Sequence, residues 1–336
     1  MLASQARPPS RPEELLDSSL ISRLDRLDVR SAKWFPGKLQ GERRSKKRGQ
    51  SVEFDDYRNY VAGDDLRFID WNVYARFDRF FIKLFLEEED LALHIALDAS
   101  PSMRTGEPDK LVFGARLAAA LSYVGLVRNN RVGLSIFGAP GSRGVARLPD
   151  TRGRHNVRRA AQFILDHAWI RADRGSAEPE VVLEPEAASG QPATFNEALT
   201  TIARLRVGKG VMVVISDFLI PEGYHAGLRN LAAAGGYDTY CIQVLSPGEI
   251  EPEKETGAGA GGITGDLRLT DVETGHAAEV TVTAPLIKKY KERLARYCAE
   301  LNSFCLAREM THVLVRSDTP LETLLLETLR KRGMLG

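Results

Sequence analysis

The chain has 336 residues, with 46 Lys and Arg against 45 Asp and Glu, so its formal net charge is +1. Hydrophobic residues make up 43% and charged residues 27%, which excludes disordered, collagen-like and disulfide-scaffold classes. A net charge near zero gives no overall attraction to nucleic acid or anionic lipid. No apolar run approaches the ~20 residues of a membrane helix, and no signal peptide is recognisable. We therefore expect a cytoplasmic protein.

The N-terminal region divides into a tail and a small module. Residues 1–19 begin with a stretch rich in Pro, Arg and Ser, which predicts a flexible tail. Leu20 and Leu24 then recur at helical spacing and predict a short helix. A mixture of aromatic and charged residues follows, and its segment 79–87 is typical of a strand. We predict one helix and a β-rich module over residues 20–90.

Residues 91–336 alternate apolar runs with helical segments. The apolar runs are 91–98, 132–137, 211–215, 240–245 and 312–315. The helical segments lie near 109–128, 154–168, 195–205, 222–234, 285–304 and 320–332. Strands that are apolar throughout need cover on both faces, so the pattern predicts a doubly wound, mostly parallel α/β sheet of Rossmann type. Acidic, Gly-rich and alternating residues over 247–282 predict an inserted loop and excursion hairpin.

Oxygen-bearing side chains stand at three predicted ends of this sheet. Asp98, Ser100 and Ser102 follow the first strand on alternate positions, Thr194 precedes a helix, and Asp217 follows a later strand. In open α/β sheets, ligands bind beyond the carboxyl ends of the strands. Oxygen ligands with two carboxylates suit a hard divalent cation such as Mg²⁺. The sequence therefore predicts a cation site there.

The chain order Asp-x-Ser-x-Ser, Thr before a helix and Asp after a strand resembles the metal-ion-dependent adhesion site of von Willebrand factor A-type domains. The resemblance implies that Ser100 and Ser102 bind Mg²⁺, or another divalent cation, directly. It implies that Asp98 and Asp217 act directly or through water, and that Thr194 completes the set. The remaining coordination position would receive a carboxylate from a partner protein.

Alternative interpretations of these residues need no metal. The two serines could cap the following turn, Thr194 with Glu197 forms a capping-box pattern, and Asp217 could be a turn residue. A metal-dependent phosphohydrolase using Asp98 and Asp217 is the alternative function. Phosphatases of the haloacid-dehalogenase type place a second Asp two residues after the first, and here that residue is Ser100, which is no general acid near neutral pH.

The leader before the α/β domain carries a second pattern. Its residues are Gly37, Gly41, Ser45, Gly49, Ser51-Val-Glu-Phe54, Tyr57-Arg58, Tyr60, Gly63-Asp-Asp65, Arg67, Ile69-Asp-Trp71 and Ala75-Arg76. Together with Asp271–Gly275 and Thr319-Pro-Leu, this string resembles the domain-of-unknown-function family DUF58 over roughly residues 20–332. Members of that family join such a leader to a von Willebrand factor A-like domain. The resemblance implies a MoxR-type AAA+ ATPase as partner and a role in the assembly or maturation of other proteins.

Charged residues of the leader have two further interpretations. The arginines between its acidic residues predict structural ion pairs, with an acidic docking face as the alternative. The basic run Lys38–Arg48 has little aromatic interleaving, which favours a solvated loop over a nucleic-acid site. We therefore interpret the chain as a non-enzymatic interaction protein whose divalent cation binds an acidic residue of a partner, with no nucleic acid and no membrane span.

Overall fold

The structure is a computed structural model that forms two compact units. The larger unit comprises residues 1–36 with 91–336, and the smaller comprises 37–90. The described residues are 8–31, 45–61, 63–87, 91–142, 144–169, 182–183, 193–205, 208–254, 265–270 and 277–336. The leader residues 37–44, which include much of the basic run, and Asp271–Gly275 of the family pattern lie outside the described residues.

A mostly parallel sheet forms the centre of the larger unit. The strands of the chain are β1 Ser45–Asn59, β2 Phe81–Glu87, β3 Ala92–Asp98, β4 Arg131–Phe137, β5 Val145–Thr151, β6 Val182–Leu183, β7 Gly210–Ser216, β8 Tyr237–Leu245, β9 Gly265–Thr270, β10 Ala277–Val282 and β11 Thr311–Arg316. The sheet order is β11-β8-β7-β3-β4-β5-β6. Pairing is parallel from β11 to β4 and antiparallel at β5 and β6. All five predicted apolar runs are parallel strands.

Helices connect these strands. They are α1 Pro12–Leu15, α2 Ser18–Leu24, α3 Trp71–Phe77, α4 Lys110–Val127, α5 Val157–Ala168, α6 Phe195–Leu205, α7 His225–Ala233, α8 Pro247–Ile250, α9 Ala284–Leu306 and α10 Leu321–Thr323, with a π-helical turn at Leu324–Leu329. The predicted helical segments are confirmed, although their bounds move by a few residues. Antiparallel β9 and β10 form the predicted excursion hairpin. The predictions omitted β5, because an antiparallel strand that contains Pro149 and has exposed positions lacks a continuous apolar run.

Side chains of the sheet pack on both of its faces. Leu93, Ile95 and Leu97 of β3 belong to a core cluster with residues of α4 and α5. Ala92 and Ala96, which alternate with them, belong to a second cluster with residues of α6, α7 and α9. Successive side chains of a strand point to opposite faces. Helices therefore cover both faces, and the predicted doubly wound arrangement is confirmed.

The core helix α4 is also long and apolar enough to cross a membrane, judged by length and composition alone, and 83% of it is buried within the fold. It is the one such helix in the part of the chain that the structure describes. Burial against strands and neighbouring helices accounts for its apolar surface, as in any core helix. The prediction that no apolar run approaches membrane-spanning length therefore overlooked this 18-residue helix.

The N-terminal segment differs from the predicted tail and module boundary. Within the described part of residues 1–19, α1 is helical and Leu15 is fully buried in the main core cluster. Leu20 and Leu24 of α2 belong to the same cluster. Asp28 exchanges two backbone hydrogen bonds of 2.9 Å with Gly336. The described residues 8–31 therefore belong to the larger unit, and the smaller unit begins at 37 and not at 20.

The smaller unit is held by an antiparallel strand pair and a buried carboxylate. Strands β1 and β2 pair over their length with register shifts. Asp70 caps α3 by accepting hydrogen bonds from the backbone of Asn72 and Val73. Its other oxygen accepts from Tyr57 Oη at 2.9 Å and lies 3.0 Å from Lys83 Nζ. The helix α3 was not predicted from the sequence.

Ion pairs inside the smaller unit match the structural interpretation of the leader's arginines. Arg58 lies 2.8 Å from Asp64, and Arg67 lies 2.6 Å from Asp65. Both pairs are partly exposed, so their net contributions are small. The acidic docking face remains the alternative.

Replacing the buried leucine of α1 tests whether this helix belongs to the core. Leu15→Ala should lower the free energy of unfolding by about 2–5 kcal/mol, because the fully buried side chain leaves a cavity. Urea unfolding followed by circular dichroism measures the change. The control is Leu306→Ala, since Leu306 is 65% exposed and should change stability by no more than about 0.5 kcal/mol. Equal effects would show that α1 is not part of the core.

The ion pair of Asp70 predicts a pH dependence of the smaller unit. Lys83, together with the hydroxyl of Tyr57 and the backbone donors, lowers the pKa of Asp70 to about 2. The stabilisation is therefore complete above the ordinary value of 3.8 and is lost as pH falls through about 2. Carbon-13 NMR of the carboxyl should show this midpoint in the wild type and a higher one in Lys83→Met. A wild-type midpoint near 3.8 would contradict the assignment.

Candidate functional site

The sheet changes its winding direction between β3 and β7. The chain leaves β3 through α4 for β4 on one side, and it leaves β7 through α7 for β8 on the other. Neighbouring connections diverge at such a point and leave a crevice beyond the carboxyl ends of the two strands. Asp98 ends β3 and Ser216 ends β7, with Asp217 next. The predicted site therefore lies at the switch point of the sheet.

Asp98 lies at the carboxyl end of β3, next to this switch point, and is buried. Its Oδ1 accepts a hydrogen bond of 2.9 Å from the backbone N–H of Ser100, and its Oδ2 accepts one of 2.6 Å from the hydroxyl of Ser216. Gly138, which follows β4, passes so close that a Cβ there would lie 3.2 Å from Asp98 Oδ1, and its φ is +73°. Glycine at this position satisfies both the close approach and the left-handed backbone.

The two serines after Asp98 lie together and are half-buried. Their hydroxyl oxygens are 3.1 Å apart. They stand at the start of a tight 3₁₀ turn over Pro101–Arg104, in which Met103 N–H donates to the carbonyl of Ser100. Ser100 and Ser102 are thus partly exposed, whereas the side chain of Asp98 beside them is buried.

Thr194 is exposed and forms the capping box that the alternative interpretation predicted. Its hydroxyl accepts from the backbone N–H of Glu197 at 3.3 Å, and Glu197 Oε2 accepts from the backbone N–H of Thr194 at 3.0 Å. A hydroxyl that accepts one hydrogen bond still has a second lone pair. The cap explains Thr194 without a ligand but does not remove it from the candidate set.

Aromatic packing brings the loop of Thr194 to the same end of the sheet. Phe195, the next residue, lies 5.9 Å from Phe137 and 5.6 Å from Phe218 between ring centroids. Phe137 is the register partner of Asp98, and Phe218 follows Asp217. The segments that carry Asp98, Thr194 and Asp217 therefore approach one another at the carboxyl end of the central strands.

Asp217 differs from Asp98 because it has a cationic partner. Lys110 Nζ lies 2.9 Å from Asp217 Oδ2 and 2.5 Å from Glu249 Oε1. The Lys110 and Asp217 side chains are fully buried, and that of Glu249 is 3% exposed. Asp217 Oδ1 accepts from the backbone N–H of Leu219 at 3.0 Å. We call Lys110, Asp217 and Glu249 the buried triad.

Electrostatics distinguishes the two aspartates further. Burial, and next the negative charge of Asp217, raise the pKa of Asp98 to about 6. Burial alone would lower the pKa of Lys110, but the carboxylates of Asp217 and Glu249 outweigh it and the pKa lies above its ordinary value. Lys110 is therefore a permanent cation bound to Asp217, whereas Asp98 has no cationic side chain beside it in the part of the chain that the structure describes.

The donor set fits a hard cation at Asp98 better than at Asp217. Among the described residues, no Lys or Arg lies within ion-pair distance of Asp98, and two hydroxyls stand beside it. In the same part of the chain, no three His, Cys, Asp or Glu side chains cluster in a way that could hold a metal ion. An ion there would depend on hydroxyl and water oxygens in addition to one carboxylate.

The alternative phosphohydrolase, which needs both aspartates at one metal, is disfavoured because Asp217 is bonded to Lys110.

Sequence reasoning missed three residues of this region. Ser216 positions Asp98, and its oxygen also accepts from the backbone N–H of Phe218 at 3.0 Å. The pattern Ser246-Pro-Gly-Glu249 is a sequence signal for Glu249, because it predicts the capping box that the structure contains. The one sequence signal for Lys110 is its position in the first turn of a mostly apolar helix, where the helix dipole disfavours a cation.

Comparison with known proteins identifies the family to which the chain belongs. The profile described as "Protein of unknown function DUF58" matches residues 56–300. The chain belongs to this family. The uncharacterized protein Rv1480 of Mycobacterium tuberculosis is 26% identical over 298 residues, which are 88% of this chain and 84% of that protein. The uncharacterized protein MAV169 of Mycobacterium avium is 29% identical over 122 residues, or 36% of this chain and 65% of that protein.

Solved structures also resemble part of the chain. The conserved hypothetical protein BatB from Bacteroides thetaiotaomicron aligns with 72% of this chain and 98% of its own, with 19% identity and a TM-score of 0.39. An aerotolerance-related membrane protein from Bacteroides fragilis aligns with 71% and 99%, with 18% identity and a TM-score of 0.37.

The raised pKa of Asp98 predicts that removing its charge stabilises the fold. Between the ordinary value of 3.8 and about 6 the folded protein keeps a proton that the unfolded chain loses, so stability falls as pH rises. Asp98→Asn in chelator should therefore raise the free energy of unfolding at pH 7 by about 1–3 kcal/mol. Urea unfolding should show this gain shrinking toward pH 4. The exposed Glu327→Gln is the control and should show no such pH dependence. A destabilised Asp98→Asn at pH 7 would contradict the analysis.

Proposed function

We propose that this DUF58 protein is a non-enzymatic interaction protein with a von Willebrand factor A-like domain. The crevice between β3 and β7 binds a divalent cation, and through that cation it binds an acidic residue of a partner. The buried carboxylate of Asp98 is the observation that carries this proposal. Among the described residues it has no Lys or Arg within ion-pair distance, and it adjoins the hydroxyls of the half-buried Ser100 and Ser102 at the switch point.

The chemistry of the residues supports this choice. Asp98 would supply the negative charge, and Ser100, Ser102 and Thr194 would supply neutral oxygens. Mg²⁺ prefers such hard oxygen ligands and usually keeps several waters. When bound, the ion would supply a positive centre at the crevice to which a carboxylate of another protein binds. Asp217 adds negative charge nearby, and this charge, after burial, is a cause of the raised pKa of Asp98.

The partner in this proposal is a MoxR-type AAA+ ATPase or its client. The resemblance of the leader and of the oxygen-bearing residues to the family supports this choice. An adaptor that recognises one exposed acidic residue would hold the ATPase and the client together during assembly or maturation. We further propose that the protein acts in the cytoplasm.

Binding with and without the ion tests the proposal. The full chain is immobilised, and a purified MoxR-type AAA+ ATPase from the same genome is titrated in Mg²⁺ or in chelator by biolayer interferometry. We expect saturable binding only in Mg²⁺. Asp98→Asn should weaken this binding at least about tenfold, or ~1.4 kcal/mol, because the ion loses its one unpaired carboxylate ligand.

Two controls separate the site from general effects. Glu327→Gln removes an exposed acidic charge elsewhere and should bind like the wild type. Circular dichroism should show that Asp98→Asn remains folded. Equal binding in chelator and in Mg²⁺ would reject the cation-dependent mechanism. Hydrolysis of p-nitrophenyl phosphate that Asp98→Asn abolishes would favour the phosphohydrolase instead.

A further inference from the structure

Lys110 presents an energetic problem that the proposed cation site does not explain. It is the first residue of α4, where the positive end of the helix dipole repels an ammonium group, and its side chain is fully buried. A charge in such a position needs close partners of opposite sign. Asp217 and Glu249 are those partners, at 2.9 and 2.5 Å.

The oxygens of Asp217 are committed to this arrangement. Oδ2 contacts Lys110, Oδ1 accepts from the backbone N–H of Leu219, and the backbone carbonyl accepts from Gln243 Nε2 at 2.9 Å. The described donors to Asp98 are by contrast neutral, namely the backbone N–H and the hydroxyl of Ser100 and the hydroxyl of Ser216. Asp98 and Asp217, which occupy two positions of the same metal-site pattern, therefore have different electrostatic partners.

We propose that Lys110 is the resident cation of Asp217 and takes the place that a divalent ion would otherwise have at this carboxylate. The inference rests on the proposed function for the existence of an ion at Asp98. An ammonium and a divalent ion on one carboxylate repel each other in a water-poor environment. The ion is therefore held by Asp98 and the neutral oxygens, and not by Asp217.

A single carboxylate ligand has a consequence for partner binding. Divalent-cation affinity depends strongly on the number of charged ligands, so a site with one carboxylate holds Mg²⁺ weakly by itself. A carboxylate from the partner adds the second charge. Ion binding and partner binding then strengthen each other, as linkage requires. Because Lys110 occupies Asp217, the affinity of the site for Mg²⁺ depends on the carboxylate that the partner supplies.

A charge-matched variant tests this role. Lys110→Met/Glu249→Gln removes one positive and one negative charge, so the net charge of the buried triad stays the same while Asp217 loses its cation. Isothermal titration calorimetry with Mg²⁺ alone should show at least about tenfold tighter binding than the wild type, because a second carboxylate becomes a ligand. Adding Asp217→Asn to this variant should return the affinity to within about threefold of the wild type.

Other outcomes decide the two proposals separately. Binding of Mg²⁺ by the charge-matched variant but not by the wild type would support the role of Lys110, because a site with one carboxylate holds the ion weakly without a partner. Affinities within about twofold of each other, or no binding by either, would overturn the role of Lys110. The proposed function is judged by the wild type and by Asp98→Asn in the partner assay.

Folding of the variants must be measured separately, because the buried triad connects α4, the end of β7 and α8 and its loss could destabilise the fold. Circular dichroism and urea unfolding show whether the charge-matched variant is native. If it does not fold, Asp217→Asn and Asp98→Asn are compared in the otherwise wild-type chain. We then expect about threefold or less loss of Mg²⁺ affinity for Asp217→Asn and about thirtyfold or more for Asp98→Asn. Equal losses would overturn the proposal.

Discussion

Compensation of buried charge at the carboxyl ends of β3 and β7 is the constraint on which the rest of the structure depends. Three carboxylates and one ammonium lie where water is largely excluded, and each charge must find partners or raise the energy of the fold. Lys110 compensates two of the carboxylates and thereby ties the first turn of α4 to β7 and α8. Asp98 receives only neutral donors. The uneven distribution leaves one carboxylate available to a cation from outside.

An acidic group that is buried without a counter-charge lowers stability, and proteins retain such groups mainly at sites of binding or catalysis. The position of Asp98 agrees with this principle, because the switch point of a doubly wound sheet is where such folds bind ligands. Gly138 and Ser216 serve the same carboxylate from neighbouring strands. The fold and the site are thus consequences of one strand order.

Prediction from sequence succeeded where a local pattern is repeated along an element. The continuous apolar runs of β3 and β7 predicted buried parallel strands, and the capping pattern of Thr194 and Glu197 predicted the start of α6. It failed where long-range contacts decide. A short segment such as α1 has no local signal strong enough to distinguish a tail from a helix whose Leu15 enters the core. The prediction missed strand β5 for the related reason that half-exposed strands mix polar and apolar residues.

The sequence by itself determined the α/β class, the family, and the three segments with oxygen-bearing residues that approach one another at one end of the sheet. Spacing and residue type are sufficient for these, because periodicity and strand order place residues on faces and at ends. Only the tertiary structure decided that Asp98 is uncompensated while Asp217 belongs to Lys110. That distinction depends on side chains 107 and 139 residues apart in the chain, and no local pattern encodes which buried charges become neighbours.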